Sequence, residues 1–147
     1  MYKVLLATDG SEHSFKTIGK AIKLLKQLDA SVTVLSVVED VRLYKGLGQL
    51  SAKETETLHQ GIETVAIEGL EKTKEALTKE SIEASTLLRK GQPADVICEV
   101  AEEGRYDMVI LGDTGFGGIK ELFLGSVSNK VAHKAKTDVF IIKWMYE

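Results

Sequence analysis

Ile110–Gly118 reads ILGDTGFGG. Asp-Thr-Gly after an apolar strand is how an aspartic protease presents a catalytic carboxylate. Spaced glycines after an apolar strand are how a parallel sheet opens a loop for phosphate, because residues without a Cβ let backbone N–H groups close on a bulky anion. The protease arrangement needs two such triplets sharing a proton, or one in a symmetric dimer, on an all-β frame. Only one triplet is present, so the flanking segments decide.

The strand leading into this loop, Asp107–Gly112 (DMVILG), is apolar on both faces, as in a sheet covered on both sides. Similar runs occur at Lys3–Ala7 (KVLLA), Ser31–Glu39 (SVTVLSVVE) and Asp138–Trp144 (DVFIIKW). Ser81–Gly91 partly alternates, which predicts an edge strand. Between the strands the period changes to that of helices. Ile18, Ala21, Ile22, Leu25 and Leu28 follow Ser11, a natural N-cap. Within Ser51–Glu80, Leu58, Ile62, Val65, Ala66, Gly69, Leu70, Thr73 and Leu77 share one face, which predicts a core-facing stripe. Pro93 opens a third helix and Gly104 stops it, and Ser126–Lys136 is the fourth. Asp40–Leu50 has two glycines and no period, and is expected to be a loop. Strands alternating with helices predict a single α/β domain spanning 1–147, built on a parallel sheet. The protease reading fails on this frame.

Composition narrows the partners. A net charge of −3 gives no bulk attraction for nucleic acid or an anionic membrane. No apolar run approaches the roughly 20 residues of a membrane span. No signal peptide is visible, and Cys98 is the single cysteine, so the default setting is cytoplasmic and reduced. His13, His59 and His133 are scattered, without metal-ligand spacing, and are expected to be exposed on helices. Cys98 in a short apolar helix is expected to be inert. Neither G-x-x-x-x-G-K-[ST] nor G-x-G-x-x-G follows the first strand. No base or metal partner accompanies Asp9, so no catalytic residue is assigned.

Ligands of open α/β sheets bind beyond the carboxyl ends of the strands. Here those ends are Ala7–Gly10, Val37–Asp40 and Gly112–Gly118. Gly112 and Gly115, then Gly125-Ser126 at a helix start, form Gly-x2-Gly-x9-Gly-Ser. A helix N-terminus adds free N–H groups and the positive end of its dipole. With ATDGSEHS after the first strand and GQPADVICEVAEEGRYDMVILG before the loop, the pattern resembles the ATP-binding type of the universal stress protein family, over essentially the whole chain.

That resemblance implies an open five-stranded sheet with helices on both faces, Rossmann-like and adenine-nucleotide alpha-hydrolase-like, in strand order 3-2-1-4-5. It implies an adenine nucleotide, ATP foremost and AMP or ADP as variants, with Mg²⁺ or Mn²⁺ accompanying the phosphates. Asp9 would contact adenosine, with Ala7 and Thr8 lining its pocket. Val37 would hold the adenine through backbone groups, and Leu111 would pack near ribose or base. Gly112, Gly115, Gly125, Ser126, Val127 and Ser128 would cradle ribose and phosphates. The implied role is a cytoplasmic stress-response or signalling module that dimerises through Val139–Ile142. Two alternatives have the same fold: a slow ATPase or self-phosphorylating protein, with Ser126 or Ser128 as acceptor, and a nucleotide-free dimeric interaction protein. Asp113 and Thr114 depart from the family's usual small and basic residues. A carboxylate beside a triphosphate repels it unless it points away or holds a metal.

Overall fold

A computed structural model describes residues 1–40, 50–113 and 125–143. The elements run β1 (Tyr2–Ala7), α1 (Glu12–Leu25), β2 (Ala30–Val38), α2 (Ala52–Lys79), β3 (Glu83–Lys90), α3 (Pro93–Glu103), β4 (Met108–Gly112), α4 (Ser126–Lys134) and β5 (Asp138–Ile142). All strand pairs are parallel, in the order β3-β2-β1-β4-β5. β3 is an edge strand, as its partial alternation predicts. The loop expected over Asp40–Leu50 falls largely on 41–49, outside the described residues.

Successive strand residues point to opposite faces, and both faces are covered. Val4, Leu6, Val32, Val34 and Ile110 pack under α1 and α2 against Ile18, Leu25, Leu70 and Leu77. Their neighbours Leu5, Ala7, Leu35, Val109 and Leu111 pack under α3 and α4 against Ile97, Val127 and Val131. This two-sided burial is why β1 and β4 read as unbroken apolar runs. Each fully buried Leu, Ile or Val contributes about 1.5–3 kcal/mol over exposure.

The helix ends follow local chemistry. Ser11 and Ser51 accept the backbone N–H of Ser14 and Glu54, satisfying donors that the first turn leaves free. Gln92 does the same for α3, with Pro93 in its first turn. The helix predicted over Ser126–Lys136 ends two residues earlier, at Lys134, because Ala135 is extended.

The α2 stripe differs from expectation. Ala66, Leu70, Thr73 and Leu77 are buried, but Leu58 is 39% exposed and Val65 56%. A helix of 28 residues is about 42 Å long, whereas β2, with nine residues, extends about 30 Å. The first turns of α2 therefore extend past the carboxyl edge of the sheet.

Candidate functional site

The site begins where β1 parts from β4. Register between them ends at Leu6 and Ile110, while Thr8 N–H still donates to Leu35 O at 2.9 Å. β1 thus follows β2 to its end, and a crevice opens on the β4 side. This is the switch point of the strand order, where open α/β sheets bind ligands.

On the β1 side the chain turns sharply through Gly10, whose φ of +77° is the left-handed region that glycine tolerates. The turn is knitted by its own side chains. Thr8 Oγ1 accepts Gly10 N–H at 3.2 Å. Asp9 Oδ1 accepts Ser11 N–H at 2.9 Å and the Ser14 hydroxyl at 2.5 Å. Gly10 also meets α2 closely, since a Cβ on Gly69 would lie 2.7 Å from the Gly10 Cα. The packing of α2 against the turn therefore sets the turn's position.

A cavity of about 350 Å³ lies between this turn, the end of β2 and the N-terminal half of α2. Asp9, Ser36 and Val37 form one side, and Leu58, Ile62 and Val65 the other. The α2 residues that periodicity assigned to the core are thus its apolar wall. Thr8, by contrast, is buried and borders a neighbouring cavity of about 550 Å³ with Gly10, Phe15, Gly69 and Lys72. A third cavity, about 410 Å³, is lined by Asp40, His59, Glu63 and Lys90. There His59 is 3.2 Å from Asp40, and Lys90 is 2.7 Å from Glu63. The Glu63 hydrogen bond, then its charge, raises the Lys90 pKa above the ordinary lysine value. His59 is therefore not the exposed helix residue the sequence suggested, whereas His133 is exposed.

On the β4 side, Leu111 is buried at the strand end and Val127 is buried in the first turn of α4. Asp113 N–H donates to Ile142 O at 3.0 Å, and Asp113 O accepts Gly125 N–H at 2.6 Å. The Ser128 hydroxyl, 2% exposed, donates to Gly112 O at 2.5 Å. These bonds hold both ends of the β4–α4 connection together. Ser126 is exposed, the Gly125 cap has no side-chain hydrogen bond, and the first turn of α4 contains no acidic residue. Among the described residues no side chain caps this N-terminus, whose N–H groups are the donors a helix start offers to an acceptor. Gly115 and Thr114 lie outside the described residues.

The structure therefore brings Asp9 and Val37 to one cavity, and Leu111, Gly112, Gly125, Ser126, Val127 and Ser128 to the opposite side of the crevice. Sequence reasoning missed the α2 wall. The signal available was helix length, since a helix of 28 residues is longer than a nine-residue strand and its first turns reach past the sheet. Among the described residues no group of three or more His, Cys, Asp or Glu could hold a metal ion, and no helix is long and apolar enough to cross a membrane.

The model of the universal stress protein family matches residues 1–143. The chain belongs to the universal stress protein family. This universal stress protein is 31% identical over 141 residues to a universal stress protein of Methanocaldococcus jannaschii, covering 96% of this chain and 81% of the relative. It is 29% identical over 145 residues to universal stress protein YxiE of Bacillus subtilis, covering 96% and 98%. Among solved structures, an Arabidopsis thaliana family member with AMP bound superposes with a TM-score of 0.72 at 20% identity, covering 99% of this chain and 93% of that one. The Archaeoglobus fulgidus protein in complex with dAMP gives 0.65 at 20% identity, covering 97% and 98%. At these identities the likeness is one of fold.

Proposed function

We propose that this universal stress protein binds an adenine nucleotide, ATP foremost, across the crevice between β1 and β4. The observation that carries this is the cavity shared by Asp9, Val37 and the apolar wall of α2. It joins an apolar wall to one carboxylate, which suits a nucleoside. Val37 offers backbone groups to the base, and Asp9 accepts from the nucleoside. Ala7 and Thr8 hold the turn, and Leu111 closes the floor. Gly112, Gly115, Gly125, Ser126 and Val127 take the phosphates against the α4 N-terminus. Ser128, whose one proton is engaged by Gly112, holds that frame together. The AMP and dAMP complexes of family members support the ligand class.

The role that follows is binding: a cytoplasmic stress-response module, dimeric through β5. Mg²⁺ or Mn²⁺ accompanies the phosphates, with Asp113 as its protein contact; unchanged ATP affinity in Asp113→Asn with Mg²⁺ present would remove that contact. The deciding experiment is calorimetric titration of nucleotide-stripped protein with ATP, with and without Mg²⁺. Saturation near one nucleotide per chain is expected. A folded protein that gives no binding isotherm overturns the proposal.

A further inference from the structure

We infer that Ser14 is a positioning residue for nucleoside recognition, acting through Asp9. The inference rests on the nucleotide-binding role proposed above. Two donors converge on a single oxygen of Asp9: the Ser11 backbone N–H at 2.9 Å and the Ser14 hydroxyl at 2.5 Å. Hydrogen bonds to an ionised carboxylate are the strong kind, and two from fixed directions stop the group rotating about its last bond. Among the described residues Asp9 Oδ2 has no hydrogen-bond partner, and Asp9 borders the cavity that Val37 and Ile62 also line. A carboxylate fixed in this way presents one oxygen that can only accept. It selects a ligand donor at one point, which in a nucleoside is a ribose hydroxyl or an exocyclic amine.

Ser14 is separable from the helix cap. Its backbone N–H, not its hydroxyl, donates to Ser11 Oγ at 3.0 Å. Replacing the hydroxyl leaves that cap and the Ser11–Asp9 bond in place. What is lost is the second restraint on the carboxylate, so the turn survives while Asp9, held by the Ser11 N–H alone, is less firmly oriented.

The test is calorimetric titration of wild type, Ser14→Ala and Ser14→Thr with adenosine, AMP, ATP and inorganic triphosphate. Ser14→Ala weakens adenosine, AMP and ATP alike, by about tenfold. Inorganic triphosphate is unaffected, and Ser14→Thr, which keeps the hydroxyl, restores binding to within about threefold of wild type. In an Asp9→Ala background, Ser14→Ala has no further effect, as required of a residue that works only through Asp9. Additive losses in that double variant, or nucleoside affinity unchanged in Ser14→Ala, overturn the inference while leaving nucleotide binding intact. A wild-type protein that binds none of the nucleotides overturns both.

Discussion

A hydroxyl has one proton, and Ser128 gives its proton to Gly112. β1 and β4 have parted by then, so no β1 residue is in register with Gly112, and the side chain supplies the acceptor's partner. Ser128→Ala leaves that carbonyl unpaired and should cost about 1–2 kcal/mol in urea denaturation. Ser126→Ala, at an exposed site, should leave stability within about 0.5 kcal/mol and weaken ATP in titration. Equal stability loss in both variants would refute this division of roles. From sequence the two serines look alike, since both stand in the first turn of one helix. Only burial separates them, and burial depends on the strand beneath. Cys98 was better legible. It is half-buried on α3, and desolvation, with the Asp95 charge second, raises its pKa above the ordinary thiol value. The thiol therefore stays protonated at neutral pH. Iodoacetamide should label native Cys98 more slowly than the denatured protein at the same pH; equal labelling at pH 7 would refute this.

Among the elements, the central strands were legible because each is buried on both faces, and that environment demands a continuous apolar run. α2 was legible as a helix but not in what it covers. Leu58, Ile62 and Val65 continue the period of Leu70 and Leu77, yet they face the end of β2 across a cavity, so the same pattern is core at one end and cavity wall at the other. Helix endings were partly hidden as well. The left-handed residues after α2 and α3 are Ser81 and Arg105 rather than glycines. The glycines that matter most are at the α1–α2 crossing. Ordinarily Gly→Ala within a helix gains about 1 kcal/mol, and Gly19→Ala on α1, where an added Cβ meets nothing within 4 Å, should raise stability by about that amount. Gly69→Ala should do the opposite. Its Cβ would lie 2.7 Å from the Gly10 Cα, a backbone atom that no rotamer change can move. Overpacking of this kind costs about 1–3 kcal/mol, which exceeds the propensity gain. Thermal unfolding of the two variants should therefore move in opposite directions, and a stabilised Gly69→Ala would show that the crossing is looser than the structure has it.

At the scale of the whole molecule the sheet has two edges, and they differ. β3 carries charge at its ends, Glu83 at the start and Arg89-Lys90 at the finish, which is how natural sheets discourage pairing at an edge. β5 reads DVFII, with Asp138 as its one charge. At its centre Phe140 is 43% exposed, on the same face as buried Ile142. An exposed aromatic on an uncharged stretch of edge strand is costly for a lone protomer and useful to a pair, because a second β5 would cover the ring and supply the missing strand neighbour. β5 is also tied to the site, since Ile142 O accepts Asp113 N–H at the neck of the β4–α4 connection. If β5 is the dimer seam, a charge at Phe140 should open it, while a charge on the other edge should not. Phe140→Lys is therefore expected to sediment as a monomer, and Ser85→Lys, at an exposed position of β3, as a dimer, at concentrations where wild type is dimeric. Because Phe140 is already half in water, the folded monomer should lose little stability. A wild type that sediments as a monomer would remove β5 as a seam altogether. A dimer that survives Phe140→Lys would move the interface to another surface.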